Sequence, residues 1–130
     1  MPPPPLKIMY VDDEADIRTI VQFALEDEED FVLKICASGQ EALDTVADYR
    51  PDLVLLDVMM PGMDGPTALQ RLHAQPGLGQ LPIAFVTAKV QPQEVAHLKA
   101  LGAVDVIAKP FDPMALADHV RSLWEGVRHD

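Results

Sequence analysis

The sequence predicts a doubly wound α/β fold, a single sheet of five parallel strands with five helices packed on its two faces. Three observations carry this reading. Short apolar runs recur along the chain, stretches with apolar residues at helical spacing lie between them, and Gly, Pro or acidic residues punctuate nearly every junction. Strand and helix in strict alternation imply parallel strands joined by right-handed helical crossovers. The length of 130 residues suits one domain, and one core, of this kind.

Taken in order, residues 1–6, with Pro2 to Pro5, read as a flexible Pro-rich N-terminal arm, and residues 7–128 as one domain. The arm has neither the basic nor the apolar region of a secretory signal. Lys7 to Val11 is a strand that runs into Asp12-Asp13-Glu14. Ile17, Ile20, Val21, Ala24 and Leu25 give Ala15 to Leu25 a helical stripe, with acids in the first turn where the helix dipole favours them. The acidic run Glu26 to Asp30 reads as a solvated loop. Phe31 to Cys36 is the second strand, Ser38-Gly39 a cap, and Gln40 to Tyr49 the second helix, stopped by Pro51. Asp52 to Val58 is the third strand. Its uninterrupted Leu53-Val54-Leu55-Leu56 reads as buried on both faces, and it ends on Asp57 before a Pro/Gly-rich loop. Pro66 to Ala74 is helix three and Leu81 to Ala88 strand four. Gln93 to Leu101 is helix four, ended by Gly102. Val104 to Ala108 is strand five, broken by Asp105. The last helix is expected over Asp112 to Val127, with Asp112 as N-cap, Pro113 at the first helical position and Trp124 in a packing role.

Composition narrows the function. A net charge of −11 argues against direct nucleic-acid binding, because phosphate backbones are neutralised by Lys and Arg. The apolar runs are far too short to cross a bilayer, which predicts a soluble protein without membrane contact. Cys36, the single cysteine, sits in an apolar strand and suits a buried, inert thiol and a cytoplasmic location.

In a parallel sheet the carboxyl ends of the strands share one edge, where ligands of open α/β sheets bind. Asp12, Asp13, Asp57, Thr87 and Lys109 are all predicted there. Singly, each has an ordinary structural role: Asp12-Asp13 as a helix cap, Asp57 as a turn residue, Thr87 as a strand residue, Lys109 as a solvated end. Together they are hard to obtain by accident. Three neighbouring carboxylates repel unless one takes up a proton or a cation intervenes. Oxygen donors without His or Cys point to Mg2+ ahead of Ca2+. Lys109 and Thr87 are suited to phosphoryl oxygens, so the set predicts phosphoryl transfer onto Asp57.

On these residues the chain resembles the receiver domains of two-component response regulators and is similar to their chemotaxis-type single-domain members, with a flavodoxin-like (βα)5 arrangement. The motifs are Val11-Asp12-Asp13-Glu14, Leu55-Leu56-Asp57-Val58-Met59-Met60-Pro61-Gly62-Met63-Asp64-Gly65, Thr87-Ala88 and Lys109-Pro110-Phe111, and the likeness runs from Lys7 onward. The resemblance implies that Asp57 accepts a phosphoryl group from a sensor histidine kinase or a histidine phosphotransfer protein. It implies that Asp13, Asp57 and the Met59 carbonyl hold Mg2+, with Asp12 acting through a metal-bound water. Lys109 would contact a phosphoryl oxygen, Thr87 would move toward it, and the bond before Pro110 would be cis. The output would be a shift of the face formed by helix four, strand five and helix five, which would control a downstream partner and offers a surface for a homodimer. Such a domain is a signalling module and not an enzyme, although it assists its own phosphorylation and slow dephosphorylation. Val106 departs from the pattern, because it occupies the strand-five position where receivers often carry an aromatic switch residue. The apolar Met59 cannot orient a hydrolytic water, so a phosphoryl lifetime that is not unusually short is expected.

Three rival readings fit less well. A haloacid dehalogenase-type phosphatase wants a second acid two residues after its nucleophile, where this chain has Met59. A flavodoxin-like binding module wants a Ser/Thr/Gly-rich phosphate loop after strand one, where this chain has Asp12-Asp13-Glu14. A phosphorylation-independent pseudo-receiver would not need the whole set of site residues.

Overall fold

The computed structural model describes residues 4–128, so residues 1–3 of the Pro-rich arm lie outside the described residues. Ten elements alternate strictly: β1 Leu6–Val11, α1 Ala15–Leu25, β2 Phe31–Cys36, α2 Gly39–Tyr49, β3 Leu53–Asp57, α3 Gly65–His73, β4 Ile83–Thr87, α4 Pro92–Ala100, β5 Asp105–Ala108 and α5 Leu116–Arg128. All strand pairs are parallel and the sheet order is β2-β1-β3-β4-β5, a doubly wound (βα)5 fold. The order reverses between β1 and β3, which makes the carboxyl ends of those two strands the binding crevice.

Side-chain alternation along the strands builds two cores. Met9 and Val11 of β1, Val54 and Leu56 of β3, and Ile83 and Phe85 of β4 pack under α2, α3 and α4, with Val46, Leu69, Leu72 and Leu98 from the helices. Ile8 and Tyr10, Leu53 and Leu55, and Ala84 and Val86 point the other way, against Val21 and Leu25 of α1 and Leu116, Val120 and Leu123 of α5. Because β1, β3 and β4 are covered on both faces, they read in the sequence as continuous apolar runs.

Local chemistry fixes the helix ends. Ser38 caps α2 by accepting from the Glu41 amide (3.1 Å), while the Glu41 carboxylate reaches back to the Ala37 amide (2.8 Å), a variant of the capping box. Asp64 caps α3 by accepting from the Thr67 amide (2.9 Å), and that bond holds its carboxyl below the ordinary value. At the end of α2, Arg50 takes a left-handed conformation (φ 54°) just before Pro51.

Several expected bounds move by a residue or two, strand four shortening to Ile83–Thr87, and some of the departures have a clear physical reason. Leu6 belongs to β1, paired with Phe31. Asp105 opens β5, paired with Ala84, where the sequence suggested that it breaks the strand. Its carboxylate accepts from the Val106 amide at 2.8 Å. Asp112 does not cap α5 directly. Its carboxylate accepts from the Met114 amide (2.9 Å) and its carbonyl from the Ala115 amide (3.0 Å), so a turn precedes the helix, which starts at Leu116. The acidic loop is also tied down. Arg121 of α5 pairs with Glu28, Asp30 and Asp118 and lies 5.0 Å from the centroid of the Phe31 ring.

Arg121 holds the Asp30 carboxyl below the ordinary carboxylate value. Its guanidinium links three acids and lies over the Phe31 ring, so its loss should exceed that of an isolated surface pair. Arg121→Ala is expected to cost roughly 1 kcal/mol in urea unfolding, with a smaller loss at high salt. Equal losses at low and high salt would mean that packing alone carries the effect.

Candidate functional site

β1 and β3 deliver the acids. Asp12 follows β1 on the same side as Tyr10 and Ile8, and Asp57 is the last residue of β3. Both are buried, while Asp13 is exposed. Asp12, Asp13 and Asp57 each offer a carboxylate oxygen within 4.8 Å of the others. Lys109 lies at the end of β5. Its Nζ donates to Asp12 Oδ2 at 2.8 Å and to Asp57 Oδ1 at 3.0 Å, and it stands 3.7 Å from Glu14 Oε1. Burial works against its charge, but the two carboxylates outweigh that and raise its pKa, so Lys109 stays a cation.

The oxygens are unequally served. Asp12 Oδ2 accepts from both Lys109 and the Tyr10 hydroxyl (2.9 Å), and Oδ1 accepts from the Glu14 amide (3.0 Å). Arg18 Nη1 donates to the Asp12 carbonyl (2.9 Å). Asp57 Oδ2, by contrast, is buried and has no hydrogen-bond partner among the described residues. Burial raises the Asp57 pKa to about 6, with the Lys109 hydrogen bond pulling down and the Asp12 charge pushing up. A bare, buried carboxylate oxygen beside two further acids is an unsatisfied acceptor that a hard cation satisfies. The residues present therefore fit a metal ion.

Thr87 ends β4, one residue past Val86, the cross-strand partner of Asp57. It is buried, its hydroxyl accepts from the Lys89 amide (3.1 Å), and its carbonyl accepts from the Lys109 amide (2.8 Å). Beside it opens a cavity of about 410 Å3, lined by residues that include Val58, Met59, Thr87, Lys89, His97 and Leu98. Met59 is 69% exposed at its rim. The Lys109–Pro110 peptide bond is cis. Val106 pairs with Phe85 and packs, partly buried, against the core under α2, α3 and α4. Asp12, Asp13, Asp57 and Lys109 thus converge, with Thr87 at the next strand end, whereas Val106 contributes packing further down β5.

Sequence reasoning missed Tyr10 and Arg18. Tyr10 was legible in principle, since side chains two residues apart on a strand share a face and its hydroxyl can reach Asp12. Arg18 is brought back to Asp12 by the first turns of α1, six residues on, with no pattern to mark it.

A doubly wound sheet with an acid cluster and a lysine at its switch point describes a receiver. The chain belongs to the response regulator receiver domain family, whose model matches residues 8–121. It is 37% identical over 119 residues to response regulator Rre1 of Synechocystis sp., spanning 92% of this chain and 52% of that protein. Over 116 residues it is 39% identical to the DNA-binding response regulator MtrA of Mycobacterium tuberculosis, spanning 89% of this chain and 49% of that protein. The structure of the Vibrio cholerae chemotaxis protein CheY4 superposes with a TM-score of 0.83 at 30% identity, covering 92% of this chain and 98% of CheY4. The chain spans about half the length of the curated relatives it matches. It is a two-component signalling domain, and no helix among the described residues is long and apolar enough to cross a membrane.

Proposed function

We propose that this receiver is a Mg2+-dependent phosphoryl acceptor that takes phosphate onto Asp57 from a phosphohistidine of a sensor kinase or histidine phosphotransfer protein. The observation that carries the reading is the state of Asp57: buried at the switch point, one oxygen held by Lys109 and the other bare. A carboxylate oxygen of Asp57 attacks phosphorus, the P–N bond breaks with its electron pair going to the imidazole, and an acyl phosphate forms. Asp13, Asp57 and the Met59 carbonyl would hold Mg2+, with Asp12 acting through a bound water. The ion, when bound, neutralises the acids and the incoming phosphoryl oxygens. Lys109 keeps its charge and is in reach of the product oxygens, and the Thr87 hydroxyl exchanges its Lys89 amide for a phosphoryl oxygen.

That movement would bias the face of α4, β5 and α5, with Val90, Val104 and Met114 exposed in the loops that lead into those three elements. A partner or a second copy of the chain would read it. With Val106 in β5, the shift is carried without a rotating aromatic ring. MtrA is called DNA-binding, but it is about twice the length of this match, and the charge of −11 disfavours direct DNA contact here. The setting in this reading is cytoplasmic, the domain expected over residues 7–128, extended by Leu6 of β1, acts as one unit, and its role is signalling, with only its own phosphorylation and slow dephosphorylation as chemistry.

The test is intact mass after incubation with a small phosphodonor. The wild type with Mg2+ is expected to gain one phosphoryl group, and Asp57→Asn or chelation to abolish the gain. Phosphorylation that survives in Asp57→Asn overturns the proposal.

A further inference from the structure

Asp12 and Asp57 face the same cluster but are held in opposite ways. Asp57 keeps one oxygen bare, whereas both oxygens of Asp12 are engaged by three donors, two from the adjoining chain and one from the far end of the sheet. The Glu14 amide and Lys109 are parts of the site itself. Tyr10 is different, because its ring is 1% exposed and lies in the core against α1 and α5, while its hydroxyl emerges under Asp12. That hydroxyl donates to Asp12 Oδ2 at 2.9 Å. A rigid aromatic anchored in the core therefore pins the buried carboxylate of Asp12 within the acid cluster.

We infer that Tyr10 is a positioning residue that sets the cation preference of the site, by holding Asp12 Oδ2 away from direct ligation and so favouring Mg2+ over Ca2+. The inference rests on the Mg2+ reading above and deepens it. Mg2+ demands near-octahedral geometry and retains waters, so it tolerates a fixed acid that acts at one remove. Ca2+ takes more oxygen ligands in looser geometry and gains when another carboxylate is free to turn toward it. Partners that orient a ligand from outside the coordination sphere commonly change metal affinity by about tenfold or more.

Tyr10→Phe keeps the ring and removes only the donor. Mg2+ and Ca2+ titrations of wild type and variant, followed by calorimetry on the full chain, test it, with thermal unfolding in chelator as the check on folding. The ratio of the Ca2+ to the Mg2+ dissociation constant is expected to fall about fivefold or more in the variant. An unchanged ratio, with both constants either unaltered or shifted by one common factor as a packing defect would do, overturns the role of Tyr10. Saturable Mg2+ binding by the wild type with an unchanged ratio leaves the phosphoacceptor reading intact. No Mg2+ binding by the wild type overturns both.

Discussion

Asp57→Asn is expected to stabilise the metal-free protein at neutral pH by on the order of 2–3 kcal/mol, even as it abolishes phosphoryl transfer. The native Asp57 pKa is raised to about 6, above the ordinary 3.8, chiefly because burial disfavours its charged form. Between those values the folded state binds the proton more tightly than the unfolded state, so stability falls as pH rises through this window. Below about pH 4 both states are protonated, and the penalty vanishes. The difference between wild type and Asp57→Asn should therefore be small near pH 4, grow up to about pH 6 and then level off. Other carboxylates, such as Asp30 and Asp64, have lowered values and tilt the curve the opposite way, but they are common to both proteins. Asparagine retains an oxygen for Lys109, which also keeps Asp12. Thermal unfolding in chelator across this range reads the effect as roughly 6–10 °C at neutral pH. Mg2+ should stabilise the wild type by mass action and narrow the gap. A difference that is flat with pH would remove the desolvated carboxylate from the account.

Much of this architecture was legible because doubly covered strands leave a plain trace. Leu53 to Leu56 and Ile83 to Val86 are apolar without alternation since both faces are buried, and the parallel order then forces Asp12, Asp57, Thr87 and Lys109 to one edge. What escaped depends on long-range geometry or on competing local minima. Asp112-Pro113 carries the signature of a helix start, but the same carboxylate can close a turn. The helix begins where Leu116 reaches the core. Arg121 meets Glu28 and Asp30 across more than ninety residues of sequence, so the acidic loop looked merely solvated. Tyr10 registers in a hydropathy pattern as one more strand aromatic, because its polar end matters only once Asp12 is set above it. Residue types thus marked the acids and the lysine, while the donors that orient them came into view only with the register of β1.

Gly65→Ala is expected to cost about 3 kcal/mol and to impair phosphorylation although every site acid remains. Gly65 is the first residue of α3, and its amide donates to the Val58 carbonyl (2.8 Å), folding the loop after Asp57 back onto the strand. An added Cβ would collide with the Asp57 carbonyl oxygen, come within 2.8 Å of Val58 Cα and lie 3.1 Å from Phe85 Cε1. Two of these three neighbours are backbone, which cannot yield as a flexible side chain does. The glycine is therefore required for close approach and not for a left-handed φ. Relief comes only by moving α3 off the end of β3, and the loop that shifts with it carries the Met59 carbonyl and adjoins Asp57. Gly62 in the same loop is the internal control: its φ is 79° and a Cβ there meets nothing within 4 Å. Gly62→Ala should cost only about 1 kcal/mol of conformational strain and leave phosphorylation near the wild-type level. Urea unfolding and phosphodonor labelling of the two variants separate the cases. Equal, small losses at both positions would show that the β3–α3 loop does not hold Asp57 in place through this contact.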